Sequence, residues 1–285
     1  MSTIERISGQ VNRDRGGDGD SRGGENRVPV LSTKGIGIRF GGLQALADVD
    51  MEVNEYEIVG IIGPNGAGKT TFFNCVTGFY KPTSGDVYVR GQRVTDLRPD
   101  ERAHLGIGRS FQQVGLVRSF TVLENLLVAQ HQHIKYTVGA GVLGMPWTIE
   151  EEAVLRERAF EVLDYLGLLH LANERLGGLS YGMLKQVEAA AVLATDPDIL
   201  MLDEPLAGLG PEESDEFGER LLRMRRELGL TIIIIEHHVP FMLRVSDYVY
   251  VLNFGQVLAQ GLPETIRTNR DVAEAYMGKG AATLA

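Results

Sequence analysis

The sequence predicts an α/β fold built on a mostly parallel β-sheet with helices on both faces. Three short segments are almost entirely apolar, at 57–62, 199–202 and 231–236. Strands that are buried on both faces have this composition, and they occur in parallel sheets that lie between helices. Segments with the spacing of helices alternate with these strands, which is the order expected of an α/β domain.

The elements are expected in a definite order along the chain. Residues 1–27 combine many glycines with alternating charges and offer too little apolar surface to fold, so they predict a disordered tail. The first strands are expected at 35–40, 47–53, 57–62 and, after a turn at 82–86, at 87–89. The middle of the chain predicts helices at 121–132 and 149–166, with a Gly-rich loop at 136–147. Helices at 182–195 and 211–228 then alternate with strands at 199–202, 231–236, 248–252 and 257–259.

These elements favour one large domain with an inserted helical lobe. The chain has 285 residues and 44% hydrophobic content, which is enough for a single domain of this kind. We expect an α/β core formed by 28–112 and 182–285, and a helical subdomain at 113–181.

Composition restricts the classes of function. The net charge of −10 argues against bulk nucleic-acid binding. No segment approaches the roughly 20 apolar residues of a membrane-spanning helix, and no secretory apolar region follows Met1. The single cysteine, Cys75, excludes an internal disulfide framework. We therefore expect a soluble intracellular protein.

The most informative motif begins at Gly63. Residues 63–70 read GPNGAGKT, which matches the phosphate-binding pattern G-x-x-x-x-G-K-S/T between a predicted strand and a predicted helix. In such a loop the backbone N–H groups surround a phosphate at a helix N-terminus. Lys69 is expected to bridge the β- and γ-phosphates, and the Thr70 hydroxyl to bind Mg²⁺. The predicted nucleotide-binding set is Gly63, Pro64, Asn65, Gly66, Ala67, Gly68, Lys69, Thr70 and Thr71.

A second motif supplies carboxylates. The strand at 199–202 is followed directly by Asp203 and Glu204. Side chains at the C-terminal tip of a strand in an open α/β sheet face the ligand crevice. We expect Asp203 to hold Mg²⁺, directly or through water, and Glu204 to orient and polarise the attacking water.

With these motifs, the sequence resembles the ATP-binding subunits of ABC transporters. The segment LSYGM at 179–183 is similar to the signature loop L-S-G-G-Q of that family, and the other family motifs stand in the family's order over roughly 29–280. The resemblance implies that Phe40 stacks on adenine, that Gln112 senses Mg²⁺ and the γ-phosphate, and that His237 contacts the γ-phosphate. It also implies that two such domains face each other head to tail, so that Ser180, Tyr181 and Gly182 meet the nucleotide of the partner.

Within the family, the chain looks like the subunits that power import of branched-chain amino acids or related amides. The segments LSYG, DEP followed by AGL, IEH and the late EAYMG carry this closer resemblance. The chain departs from the pattern at Met183 in the signature loop, at Gly210 after the carboxylate motif, at His238 after the switch histidine and at Tyr56. None of these changes removes a group expected to hold the γ-phosphate, Mg²⁺ or the attacking water.

The resemblance implies a transport ATPase at the cytoplasmic face of the cell membrane, with ATP and Mg²⁺ as cofactors. Its expected partners are integral-membrane permease subunits, a second ATP-binding subunit and, indirectly, an extracytoplasmic solute-binding protein. Two alternatives remain open: the ATPase of a lipid or lipopolysaccharide exporter, and a non-transport ABC clamp. The long coiled coils of DNA-repair clamps and the paired nucleotide domains of translation factors are not recognisable in this sequence.

Overall fold

The computed structural model describes residues 28–110, 116–134 and 145–277. The strands are β1 Leu31–Phe40, β2 Leu43–Val53, β3 Ile58–Ile62, β4 Ser84–Val89, β5 Gln92–Arg93, β6 Ile107–Arg109, β7 Ile199–Asp203, β8 Thr231–Ile235, β9 Tyr248–Asn253 and β10 Gln256–Gly261. The α-helices are α1 Lys69–Val76, α2 Pro99–Ala103, α3 Val122–Ala129, α4 Pro146–Tyr165, α5 Tyr181–Leu193, α6 Pro211–Leu228, α7 Val239–Val245, α8 Pro263–Arg267 and α9 Arg270–Met277. Short 3₁₀ turns lie at Gln130–His133, Leu169–Leu171 and Leu176–Gly178.

The strands form two sheets. The larger has the order β10-β9-β3-β8-β7-β6, and its members run parallel except for β10. The smaller has the order β2-β1-β4-β5 and is antiparallel. The predicted α/β class, with a mostly parallel core sheet and an antiparallel β portion, is confirmed.

Alternating residues of the parallel strands divide the core into two layers. On β8, Ile232 and Ile234 pack with the helical side that includes α5, α6 and α7. Ile233 and Ile235 face the opposite layer, which contains α1 and the antiparallel sheet. Because successive side chains of a strand point to opposite faces, an uninterrupted apolar strand is required wherever both faces are covered.

Local sequence signals set the ends of the best-defined helices. Helix α6 starts with Pro211, whose missing N–H costs nothing at the first helical position. It is followed by Gly229 in the left-handed conformation, the usual end of a helix. Helix α3 begins with a capping box, in which Thr121 and Glu124 each bind the other's backbone N–H.

Several elements differ from the expectation. Helix α4 already starts at Pro146, so the predicted loop at 136–147 was wrong at its last two residues. Strand β6 was not predicted, and neither were β5, α2, α7, α8 or α9. Residues 1–27 and 135–144 lie outside the described residues. Among the described residues between Val122 and Gly178, the regular elements are helical, while the boundaries of the helical lobe at 113 and 181 stay predictions. In the described part of the chain, no helix combines the length and the hydrophobicity that a membrane span needs.

A buried arginine completes the C-terminal end of α1. The side chain of Arg102 is almost fully buried. Its guanidinium donates to the carbonyls of Cys75 at 2.7 Å and Val76 at 2.6 Å in the last turn of α1. It also donates to the carbonyls of Thr95 and Leu97. The last carbonyls of a helix have no partner within the helix, so Arg102 supplies the hydrogen bonds that the end of α1 needs.

Arg102→Met is therefore expected to destabilise the protein by about 2–4 kcal/mol, because it leaves several buried carbonyls unpaired. Denaturant unfolding of both proteins measures this difference. The matched control is Arg98→Met, which removes an arginine that is 71% exposed and paired with Asp100; its expected effect is below about 1 kcal/mol. Equal stability of the Arg102 variant and the wild type would contradict the role given to Arg102.

Candidate nucleotide-binding site

The phosphate-binding loop joins the end of β3 to the start of α1. Gly63 has a φ of +155°, and a Cβ there would lie 2.1 Å from the carbonyl oxygen of Leu252. Gly68 has a φ of +101°, and a Cβ there would lie 2.8 Å from the carbonyl oxygen of Ala45. Only glycine tolerates both the left-handed conformation and this close approach. The loop is thus held between β2 and β9 with its backbone close to the start of α1.

Lys69 lies in this loop with its ammonium group directed towards backbone carbonyls. Its Nζ donates to the carbonyl of Gly63 at 2.7 Å and to that of Pro64 at 3.0 Å. Burial lowers the pKa of Lys69, and the carboxylates of Glu204, Asp203 and Glu236 oppose that shift. Lys69 therefore places a cation in the phosphate-binding loop, where it can pair with an anionic ligand.

Asp203 ends β7 and is buried. Its Oδ2 accepts from Arg109 Nη2 at 3.3 Å, and its backbone N–H donates to Ser110 Oγ. Its Oδ1 is buried and has no hydrogen-bond partner. Burial raises the pKa of Asp203, and the Arg109 guanidinium lowers it. An unpaired buried carboxylate oxygen at the end of β7 fits a hard cation such as Mg²⁺.

Glu204 follows Asp203 in an unusual backbone conformation. Its φ is +49°, a region that non-glycine residues occupy rarely and that is associated with functional sites. Its N–H donates to the carbonyl of Ile235 at 2.9 Å, which ties it to the end of β8. The side chain of Glu204 lines the cavity described below.

A third carboxylate, that of Glu236, connects two loops. It is fully buried, and it accepts from the N–H of Leu206 at 2.8 Å and from the N–H of His237 at 3.1 Å. His237 Nδ1 lies 3.5 Å from Glu236 Oε2. Burial raises the pKa of Glu236, and the Leu206 N–H lowers it. Glu236 therefore fixes the loop after β7 relative to the loop after β8.

Gly68, Lys69, Glu204 and His237 are among the residues that line a cavity of about 720 Å³. Its phosphate end is formed by the loop and α1 together with Glu204 and His237. Its other end lies at the β1–β2 and β9–β10 hairpins and includes Phe40, whose ring packs edge-on against Tyr80 at a centroid distance of 5.3 Å. The lining residues are Phe40, Leu43, Gln44, Ala45, Asn65, Gly66, Ala67, Gly68, Lys69, Thr70, Thr71, Glu204, His237, Phe254 and Gly255.

The structure thus brings most of the predicted site residues together. Gly63, Pro64 and Asp203 are not among the lining residues, and the carbonyls of Gly63 and Pro64 accept hydrogen bonds from Lys69. The three signature residues are not among those that line this cavity. Gln112 lies outside the described residues, so its predicted role stays a prediction.

The signature residues lie at the start of α5. Ser180 caps this helix, accepting from the N–H of Met183 at 3.3 Å. Gly182 faces Gly208 so closely that a Cβ on Gly182 would lie 3.0 Å from the Gly208 carbonyl oxygen. Tyr181 is 54% exposed. The signature helix is therefore in contact with the loop that follows Glu204, and its first residue is open to the surface.

Sequence reasoning missed several residues of the site. Arg109 lies next to Asp203, donating also to Asn74 Oδ1 at 2.6 Å and Thr77 Oγ1 at 3.0 Å. Arg109 lies in β6, which pairs with β7. Because β6 was not predicted, the position of Arg109 beside Asp203 was not predicted either. Phe254 and Gly255 form the two-residue turn between β9 and β10. The sequence signal for that turn is weak, because Phe is rare where φ is positive.

Comparison with known proteins agrees with this geometry. The family model described as ABC transporter matches residues 46–207, and the model described as branched-chain amino acid ATP-binding cassette transporter matches residues 256–282. The chain is 46% identical to the high-affinity branched-chain amino acid transport ATP-binding protein LivG of Escherichia coli (strain K12), over 88% of this chain and 98% of LivG. It is 43% identical to the corresponding protein BraF of Pseudomonas aeruginosa, with the same coverage.

Solved structures show the same fold. The ADP conformation of an ATP-binding cassette of an ABC transporter is 35% identical, with a TM-score of 0.76 over 88% of this chain and 99% of that chain. A bacterial ABC transporter cassette solved as a dimer is 28% identical, with a TM-score of 0.69 over 82% of this chain and 98% of that one. On the motifs, the cavity and these likenesses together, the chain belongs to the family of ABC transporter ATP-binding cassettes.

Proposed function

We propose that this chain is the ATPase subunit that powers an importer of branched-chain amino acids or related amides. The observation that carries the ATPase assignment is the cavity that the phosphate-binding loop lines together with Glu204 and His237, with the buried Asp203 next to Glu204 in the chain. The substrate class is supported by the relatives, which are named for branched-chain amino acid transport and are similar over 98% of their length. The match at 256–282 to a model of the same type supports it further.

The predicted site residues have separate chemical tasks in this proposal. The loop N–H groups and Lys69 bind the phosphates of ATP. Thr70 and Asp203, with Gln112, would hold Mg²⁺, which neutralises phosphate charge when bound. Glu204 orients a water molecule and takes its proton, and His237 contacts the γ-phosphate. Phe40, supported by Tyr80, stacks on the adenine ring.

The signature residues act on the nucleotide of a second cassette in this proposal. Ser180 and the N–H of Gly182 stand at a helix N-terminus, where donors and the helix dipole favour a phosphate. Their separation from this chain's own cavity supports such a head-to-tail pairing, and a related cassette has been solved as a dimer. ATP between the two chains holds them together, and its hydrolysis removes the charge that does so.

The partners follow from this arrangement. The chain would bind integral-membrane permease subunits at the cytoplasmic face of the cell membrane, pair with the same or another ATP-binding subunit, and act indirectly with an extracytoplasmic solute-binding protein. Closure of the dimer would move the permease.

Affinity purification of the tagged chain from its own cells in mild detergent tests these partners. We expect to recover multi-span membrane proteins together with an ATP-binding subunit, and uptake of radiolabelled leucine is expected to fall when the chain is deleted and to return with the wild-type gene. Recovery of soluble partners only would contradict a transport role and favour a clamp. Undiminished leucine uptake together with membrane partners would exclude this substrate class and favour an exporter.

A further inference from the structure

Phe254 combines two features that ordinary folding does not explain. Its side chain is 88% exposed, so it gains little from packing. It also has a φ of +44°, and Gly255 after it has a φ of +78°. Because Asn253 pairs with Gln256, the two form a two-residue hairpin turn with positive φ at both positions. Such turns favour Asn-Gly or Asp-Gly. Phe at the first position is therefore unfavourable for the backbone conformation of the turn, and its apolar ring is exposed to solvent.

The turn that carries Phe254 is fixed to the nucleotide cavity. The N–H of Gly255 donates to the carbonyl of Ala67 in the phosphate-binding loop at 3.0 Å. The carbonyl of Gly255 accepts from the N–H of Ala47 in β2 at 2.8 Å. A Cβ on Gly255 would lie 2.5 Å from the carbonyl oxygen of Ala45. These contacts hold the turn between the loop and the β1–β2 hairpin, so Phe254 stays at the wall of the cavity.

Phe254 and Phe40 line the same cavity from different hairpins. Phe40 belongs to the end of β1, whereas Phe254 is next to the residue that binds Ala67 of the phosphate-binding loop. A nucleotide with its phosphates in the loop and its base at Phe40 would occupy the cavity that Phe254 also lines. An exposed aromatic ring in a strained backbone at a ligand cavity is a conflict of the kind that marks functional positions.

We infer that Phe254 is a second aromatic contact for the nucleoside part of the bound nucleotide, in addition to Phe40. Its ring covers the ribose and base from the β9–β10 side and loses its exposed surface when the nucleotide binds. This inference rests on the proposed function, because it requires that the cavity binds a nucleoside triphosphate.

Phe254→Asn tests the contact while preserving the turn, since Asn is favoured at this position of such a turn. Binding of ATP and of inorganic tripolyphosphate is measured by calorimetry with the full chain. We expect ATP to bind about tenfold more weakly, in line with base–aromatic stacking elsewhere, and tripolyphosphate to bind as it does to the wild type. The melting temperature without ligand is expected to be unchanged or higher. Phe254→Trp, which keeps an aromatic ring, is expected to bind ATP with the affinity of the wild type.

Other outcomes overturn the inference. Unchanged affinity for ATP in Phe254→Asn would mean that the ring does not contact the nucleoside. An equal loss for ATP and tripolyphosphate would mean that the variant disturbs the phosphate-binding loop through Gly255 instead. Failure of the wild-type protein to bind ATP would reject the proposed function itself, which keeps the two results distinguishable. Ile149→Asn, in the first turns of α4 and 61% exposed, is the control for removal of an exposed apolar side chain.

Discussion

Glu204→Gln is expected to lower the rate of ATP hydrolysis by about 10²–10⁴-fold, the usual contribution of a general base, while ATP binding is retained. The side chain lines the cavity, and the bond from its backbone to Ile235 keeps it in place. Glutamine has nearly the same shape but cannot take a proton from water. Steady-state phosphate release and calorimetric binding of ATP measure the two quantities separately.

The same substitution on α6 gives the control. Glu212 is exposed in the first turn of this helix, so Glu212→Gln removes an equal charge away from the cavity and is expected to leave hydrolysis unchanged. A Glu204→Gln variant with wild-type turnover would show that another group activates the water. Because hydrolysis ends the ATP-dependent pairing in the proposed mechanism, the Glu204 variant is also expected to accumulate as a dimer when ATP and Mg²⁺ are present.

Lys69→Ala is expected to weaken nucleotide binding by about 10–100-fold, the range of a hydrogen bond to a charged group, and to abolish measurable hydrolysis. The ammonium group is the cation that faces the loop carbonyls of Gly63 and Pro64 and the nearby carboxylates. Without it, phosphates entering the loop lose a cationic partner and meet the nearby carboxylates of Glu204, Asp203 and Glu236. Unlike Phe254→Asn, this change is expected to weaken ATP and tripolyphosphate alike.

Lys81→Ala is the matched control for Lys69→Ala. Lys81 is 75% exposed and pairs with Asp96 on the surface, so its removal is expected to leave both ligands bound as before. Wild-type affinity for ATP in Lys69→Ala would contradict the role of the loop as the phosphate site.

The sequence predicted the elements whose signals are local. Helix α6 was predicted with its observed bounds, because Pro211 and Gly229 mark its two ends. The apolar strands β3, β7 and β8 were predicted because both of their faces are covered, which leaves no polar positions. Strand β6 was missed, since Ile107–Arg109 is short and has glycine on both sides of its first residue. Its strand conformation depends on pairing with β7, a contact distant in sequence.

The residues of the site likewise divide into those with a local sequence signal and those that depend on distant contacts. Lys69, Asp203 and Glu204 could be predicted, because a loop motif and the tip of a strand suffice to place them. Arg109 and Phe254 could not, because each reaches the site through strand pairing that the sequence does not display. Glu236 stands within a recognisable segment, but its role depends on a hydrogen bond to Leu206, thirty positions earlier in the chain.

The buried carboxylate of Glu236 has a consequence for a pair of such cassettes. It binds the backbone of Leu206 and of His237, and the loop containing Leu206 reaches the signature helix through Gly208. Breaking a buried hydrogen bond of this kind costs about 1–3 kcal/mol, so these segments shift together. If a nucleotide bound in one site moves His237, we expect the signature helix of the same chain to move as well. That helix is the part of the chain that would meet the other nucleotide. In the proposed pair, we therefore expect the binding of one ATP to affect the binding of the other.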